Sequence, residues 1–264
     1  MKVAVIGAGV IGSAIAKALV QSHPATRIIA SDKLSQRLKD LKKIGVVVTT
    51  ENRRAASEAD IMFLCVKPSD VETVLKEVRE EVKGKLVISV AAGVGLDFLK
   101  RVAPEARFVR AMPNLGILVQ GSFTCYCPSE NVSEEDKKVA NSMLCVLGRA
   151  VEVDEKYMDA VTALSGCSPA YLSFILEAMV SAGEEIGLPK ELALVSLAQT
   201  MIGTGRLILE AGKDPAQIIS MVATPGGVTE EGLKVLARYP IRKAISETMK
   251  AGVAKAKEIS QSLR

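Results

Sequence analysis

The sequence predicts an α/β fold in which an N-terminal doubly wound, mostly parallel sheet over residues 1–158 precedes a smaller all-helical domain over 159–264. Three observations predict it. Short apolar runs recur through the first half without polar alternation, as strands covered on both faces do. Stretches that are apolar at helical spacing lie between them, and such strand–helix alternation makes a parallel sheet. From about Asp159 onward only helical patterns remain.

In chain order the strands are VAVIG (Val3 to Gly7), RIIAS (Arg27 to Ser31), GVVVT (Gly45 to Thr49), IMFLCV (Ile61 to Val66), KLVISV (Lys85 to Val90) and ARFVRAM (Ala106 to Met112). The helices between them are IGSAIAKALV, LSQRLKDLKK and SDVETVLKEVRE, with Ser69 as N-cap of the last. GSFTCYC and RAVEV add two strands around a capped helix, SEEDKKVANSMLCVLG, which Gly148 closes. Ser168-Pro169 then reads as a helix start, an N-cap followed by proline at the first position. The segment after it, AYLSFILEAMVSAGEEIGLP, is apolar on more than one face, so it is buried. A membrane span is the rival reading, set aside because Glu177 interrupts the run and the run is short. In so small a domain a second subunit is expected to cover this helix, which would make the helical domain a dimerisation domain; a core helix buried within one chain is the alternative.

Composition narrows the chemistry. Of the 264 residues 48% are apolar, so the chain folds around a substantial core. The net charge of +4 is spread along the chain and aromatics make up only 3%, which argues against nucleic acid as partner. The five cysteines, Cys65, Cys125, Cys127, Cys145 and Cys167, contain no C-x-x-C pair and read as buried thiols of a cytoplasmic protein. No metal site is expected. The single histidine, His23, stands before Pro24 at the end of the first helix, which excludes Ser-His triads and His-zinc hydrolysis.

GAGVIG, comprising Gly7, Ala8, Gly9, Val10, Ile11 and Gly12, follows the first strand and opens the first helix. This is the Rossmann setting: Gly7 permits the turn, Gly9 admits a pyrophosphate, and Gly12 lets helix and strand pack. Asp32, twenty residues after Gly12, suits a free ribose 2′-OH and favours NAD(H). Ser31, Lys33 and Arg37 can hold a 2′-phosphate if Asp32 turns away, so the residues leave NAD(H) and NADP(H) both open. Lys67 stands at the C-terminal end of a strand, where open α/β sheets bind ligands. Near the C-terminus VATPGGVTEEGL (Val222 to Leu233) breaks a helical region with Pro225, Gly226 and Gly227. Such a break leaves little bulk and several free N–H groups. Thr229 also reads as an N-cap for EEGLKVL.

GAGVIG, CVKP (Cys65 to Pro68), RAMPN (Arg110 to Asn114), ALSGCSPAY (Ala163 to Tyr171) and TPGGVT (Thr224 to Thr229) occur in that order. Together they make the chain resemble the pyrroline-5-carboxylate reductases over essentially its whole length. The resemblance implies NAD(P)H reduction of a cyclic imine to L-proline, the last step of proline synthesis, by a homodimer that can assemble into a decamer. NADP(H) is the cofactor it implies. Cofactor contacts implied are the GAGVIG turn, Ser31, Asp32, Lys33, Asn52, Val66, Lys67, Pro68, the turn at Ala91, Ala92 and Gly93, and Asn114. Gly226, Gly227, Val228 and Thr229 are implied to bind substrate. The N–H groups of Val228 and Thr229 would receive its carboxylate, and the Thr229 hydroxyl would serve as polariser or proton relay. Glu155 matches a further position near the substrate.

The chain departs from the family pattern in places. Cys167 and Ser168 stand where SGSGPAY is usual, TPGG replaces SPGG, Val228 is bulky, and Met221 replaces a contacting Asn. These bear on substrate geometry. An alternative substrate is another imine or a β-hydroxyacid, although no lysine stands between Tyr157 and Leu188 to serve the latter chemistry. A further alternative is a protein that senses NAD(P)H without turnover.

Overall fold

Eight strands join in one sheet: β1 (Lys2–Ile6), β2 (Arg27–Ser31), β3 (Val47–Thr49), β4 (Ile61–Leu64), β5 (Leu86–Ser89), β6 (Arg107–Met112), β7 (Ser122–Pro128) and β8 (Gly148–Glu152). Their spatial order is β3-β2-β1-β4-β5-β6-β7-β8. Pairing is parallel from β3 through β6, antiparallel between β6 and β7, and parallel again between β7 and β8. The computed structural model describes residues 1–262. By backbone proximity they form two units, Met1–Pro169 together with the chain from Met249 onward, and Ala170–Thr248.

The apolar runs become strands because both faces are covered. Val3, Val5, Ala30, Phe63 and Ile88 join one core, which they share with Ile15 and Leu19 of α1 (Val10–Ser22) and Met143 and Leu144 of α6 (Glu134–Cys145). Ala4, Ile6, Ile29, Met62 and Val87 face the other, against α3 (Asn52–Glu58), α4 (Val71–Glu77) and α5 (Leu96–Val102). Adjacent residues of one strand thus serve opposite cores, as the two-residue period requires. Each fully buried Val, Leu, Ile or Phe contributes about 1.5–3 kcal/mol against the entropy of folding.

Local structure differs from the sequence reading at several points. LSQRLKDLKK is a 3₁₀ turn (Ser35–Leu38) running into the short α2 (Lys39–Lys43). Two helices escape the periodicity reading, α3 and α5; at seven residues each they are too short to establish a helical period. Ser69 caps nothing: a 3₁₀ turn over Pro68–Asp70 feeds straight into α4, and its hydroxyl meets Asp70 Oδ1 at 3.4 Å. Ser133 does cap α6, exchanging bonds with Asp136 in a capping box. Gly148 does not close that helix but opens β8 at φ +138°, where its missing Cβ avoids the Ser122 backbone.

After β8 the chain is helical from Glu155 to Glu185, a stretch of 31 residues. It passes through α7 (Met158–Val161) and a π turn (Thr162–Gly166) into α8 (Ser168–Glu185). Ser168 is therefore no N-cap: the preceding helix already supplies carbonyl partners, and the Ser168 hydroxyl donates back to the Leu164 carbonyl. The apolar run read as short is also the end of a longer helix. This stretch and α9 (Lys190–Leu209) are both long and apolar enough to cross a membrane by length and composition.

The second unit adds α10 (Pro215–Val222), α11 (Val228–Leu236) and the first turns of α12 (Ile241–Ser262). In one chain its helices bury little. Val180 is the buried side chain of α8 and Ala193 that of α9, whereas Phe174, Ile186, Val195 and Ile202 are exposed. So many exposed apolar side chains on two successive helices mark an interaction face.

Candidate functional site

A cleft of about 800 Å³ opens where the carboxyl ends of β1, β2 and β4 meet. Strand order reverses between β1 and β4, and open α/β sheets leave a crevice at such a switch. Gly7, Gly9, Val10, Ile11, Asp32, Lys33, Asn52, Val66, Lys67, Pro68, Ala91 and Ala92 line it.

The glycine turn is held from below. Gly7, at φ +95°, donates its N–H to Ser31 O at 2.8 Å. A Cβ on Gly7 would lie 2.7 Å from the Cys65 carbonyl oxygen, and one on Gly12 would run into the Gly7 carbonyl oxygen. Gly9 is different: its Cβ position is open, with no atom within 4 Å. Gly9 is also the N-cap of α1, with no side-chain cap bond and no acidic residue in the first turn. The first intrahelical bond is Ser13 N–H to Gly9 O at 2.9 Å, so the N–H groups of Val10, Ile11 and Gly12 have no helical partner. An uncapped helix start above an open glycine is an anion site. These residues fit a dinucleotide pyrophosphate.

Asp32 lines the cleft, but its carboxylate is not free for a ribose as the sequence suggests. It is only 5% exposed. Its Oδ2 accepts from Ala8 N–H at 2.9 Å and from Arg37 Nη1 at 3.4 Å, and its Oδ1 accepts from Leu34 N–H at 2.8 Å. Ser31 is fully buried and donates to Asn52 Oδ1 at 2.8 Å, so its hydroxyl is spent inside the fold. Asn52 in turn donates from Nδ2 to Glu77 Oε2 at 2.8 Å. Lys67 is exposed beyond the end of β4. Beside Ala91 and Ala92, Gly93 at φ +75° lies against α12, where a Cβ would meet Ile259 Cγ2 at 2.6 Å.

Three further candidates sit apart from the cleft lining. Ala8 is buried beneath the turn and Gly12 packs inside it. Asn114 caps a 3₁₀ turn (Leu115–Val119) through Gly116 N–H at 3.0 Å, while its Nδ2 donates to Ser165 O at 3.2 Å. It thereby ties RAMPN to ALSGCSPAY, and a Cβ on Gly166 would meet only the flexible end of Met112, at Cε, 2.6 Å away.

Glu155 belongs to an internal ion cluster. Its Oε1 accepts from Leu96 N–H at 2.7 Å, at the start of α5, and from Arg110 Nη1 at 3.2 Å. Arg110 is itself buried and reaches Asp159 Oδ1 at 3.3 Å through Nη2. Arg110 carries no distinguishing signal in the sequence beyond its place in RAMPN.

In the second unit, Thr224 to Gly227 closes a turn through Gly227 N–H to Thr224 O at 2.9 Å. Gly226 has φ +71°, and a Cβ on Gly227 would strike the Thr224 hydroxyl. Gly227, not Thr229, is the N-cap of α11, without a side-chain cap bond. Thr229 falls in the first helical turn because the chain turns helical right after the second glycine. Glu230 Oε2 takes the Gly226 N–H at 2.7 Å. Val228 and Thr229, as the first two helical residues, keep their N–H groups free of intrahelical partners. Val228 is exposed.

The thiols divide by place. Cys125 and Cys127 are buried on one face of β7, and burial pushes the Cys127 thiol up to about 12, with the Glu155 charge adding to it. Burial also raises the Cys65 thiol, which packs against the glycine turn. Cys145 is exposed at the end of α6 and Cys167 is half-buried within the helical stretch from Glu155 to Glu185, so not all five are core residues. Polar residues of the cleft wall that the sequence does not single out are Thr50, Asp70, Thr73 and Glu77. They sit on or beside segments that only the folded sheet brings together.

Comparison with known proteins agrees over both units. Residues 155–259 match the model described as pyrroline-5-carboxylate reductase dimerisation, and residues 2–93 match NADP oxidoreductase coenzyme F420-dependent. The pyrroline-5-carboxylate reductase of Methanosarcina acetivorans is 37% identical over 98% of each chain, and that of Synechocystis is 33% identical over 99% of each. Among solved structures, a pyrroline-5-carboxylate reductase from Coxiella burnetii superposes with a TM-score of 0.91 at 33% identity, covering 98% of both chains. Plasmodium falciparum pyrroline carboxylate reductase, crystallised with NADP bound, gives a TM-score of 0.88 at 27% identity over 98% of both chains. With full-length likeness added to an uncapped glycine turn and a PGGVT break in their expected places, this chain belongs to the pyrroline-5-carboxylate reductase family.

Proposed function

We propose that the protein reduces L-1-pyrroline-5-carboxylate to L-proline, the last step of proline biosynthesis, with NADPH as hydride donor and NADH as the lesser one. The observation that carries this reading is that α1 and α11 each start directly after a glycine of the GAGVIG and PGGVT turns, with no side-chain cap on their first amides. One suits a pyrophosphate and the other a carboxylate.

When bound, the nicotinamide supplies hydride to the imine carbon while a proton joins the imine nitrogen, giving the secondary amine. The chain's own part is orientation and electrostatics. The α1 amides hold the pyrophosphate, with Lys67, Pro68, Ala91 and Ala92 along the cleft wall. In the second unit, the Val228 and Thr229 amides receive the substrate carboxylate and the Thr229 hydroxyl faces the imine end. No imidazole is needed, because the imine is basic enough to take its proton from water. Thr229→Ala is expected to lower kcat about ten- to a hundredfold, the effect of one positioned hydrogen bond. Steady-state kinetics with unchanged kcat would remove Thr229 from the reaction.

This reading divides the roles near residue 158, with the dinucleotide on the N-terminal side. A homodimer, assembled further into a decamer, covers the apolar α8 and α9 in place of a membrane, in a cytoplasmic setting. The match of residues 155–259 to a dimerisation model supports self-association. The deciding assay follows NADPH and NADH oxidation in parallel with L-pyrroline-5-carboxylate. Oxidation of NADPH is expected; no oxidation of either, by a protein that binds both, would refute the reaction.

A further inference from the structure

We propose that Asp32 is an internal clamp of the cleft, not its ribose ligand, and that it sets Arg37, with Lys33 nearby, as the reader of the 2′-phosphate of NADPH. The inference rests on the assignment of the cleft to a nicotinamide dinucleotide. An acidic residue at the end of the second strand ordinarily marks an NAD site, because its two oxygens take the ribose hydroxyls and its charge repels a 2′-phosphate. Here both oxygens are engaged elsewhere. Oδ2 anchors the glycine turn through Ala8 N–H, and Oδ1 anchors the next loop through Leu34 N–H. Turning the carboxylate toward a ribose would strip partners from two backbone amides, one of them buried.

The charge of Asp32 is therefore consumed inside the protein, and the side chains that its loop leaves available to the cleft are the cations Lys33 and Arg37, whereas Asp70 and Glu77 come to the lining from α4 and the turn before it. Arg37 spends one of its donors on Asp32, at 3.4 Å, and its side chain stays 47% exposed. A guanidinium has five N–H donors in a planar fork, which leaves Arg37 able to bind a phosphate bidentately while still paired. Lys33, exposed on the same wall, has no carboxylate in ion-pair range among the described residues. Glu77, an acidic neighbour across the cleft lining, already accepts from Asn52. Asp32, Lys33 and Arg37 together leave one net positive charge where a nominal NAD signature stands.

The test is calorimetric titration of the intact protein with NADP⁺, NAD⁺ and 2′-AMP, which needs no imine turnover. Wild type is expected to bind NADP⁺ more tightly than NAD⁺ by about ten- to a hundredfold, as hydrogen bonds to a charged group allow. Arg37→Gln should erase most of that ratio and abolish 2′-AMP binding, with Arg37→Lys restoring part of both. A ratio that Arg37→Gln leaves unchanged would overturn the inference, as would wild type preferring NAD⁺. Binding of neither dinucleotide would overturn both this inference and the reductase reading.

Discussion

Gly12→Ala is expected to lower the melting temperature by about 5–10 °C and to weaken dinucleotide binding at least about a hundredfold. The added methyl group would run into the Gly7 carbonyl oxygen and come within 3.0 Å of Cys65 Cβ. Neither neighbour can give way cheaply. Gly7 is pinned by its bond to Ser31 O, and the next amide, Ala8 N–H, is held by Asp32. Overpacking of this kind costs about 1–3 kcal/mol, and more where backbone must move. For a protein of this size that corresponds to the stated drop. The loss of binding is a separate effect, since opening the turn re-aims the free amides of α1. Gly9→Ala separates the two: its Cβ position is open, so stability should hold while binding falls. Thermal melts and NADP⁺ titration of both variants check this, and a Gly12→Ala protein with wild-type melting and affinity would contradict it.

The second large effect is expected from Arg110→Met. Arg110 is 5% exposed and links β6 to Glu155 and Asp159, while Glu155 also holds the first amide of α5. Deleting one member of a buried ion cluster leaves its partners uncompensated and typically costs about 3–5 kcal/mol. Both carboxylates here keep some contact with water, side chains 36% and 24% exposed, so about 2–4 kcal/mol is the better expectation. Glu155→Gln distinguishes two roles for that residue. If it acts through this cluster, the variant loses stability and couples with Arg110→Met in a double-mutant cycle. If it touches substrate, KM rises and the melting temperature holds.

The strands β1 to β5 were legible because each is built on a short apolar run, and the parallel order followed from the helical stretches between them. GAGVIG was legible because its context, strand before and helix after, is as local as the motif. Asp32 was not. Its residue type and spacing say ribose ligand, but which way a carboxylate turns depends on where Ala8 and Leu34 place their amides. Glu155 was obscure for a related reason: Leu96 and Arg110 are 59 and 45 residues away in sequence. Ser168 and Thr229 show the limit of cap signals. A Ser or Thr before a helical pattern marks a start only if the helix has not already begun, and in both places it had. Short helices such as α3 and α5 carry too few residues to show a period at all.

The last turns of α12 lie with the N-terminal unit, where Ala256 is buried and Ile259 meets the turn at Gly93. A ribosome releases this chain from its N-terminus, so the dinucleotide unit waits for a piece that is made only after the whole helical unit. Until then the turn beside Ala91 and Ala92 lacks its backing. The nascent protein would thus acquire a finished cofactor cleft only when the segment around Ala256 and Ile259 has emerged, which ties cofactor capture to synthesis of the helical unit.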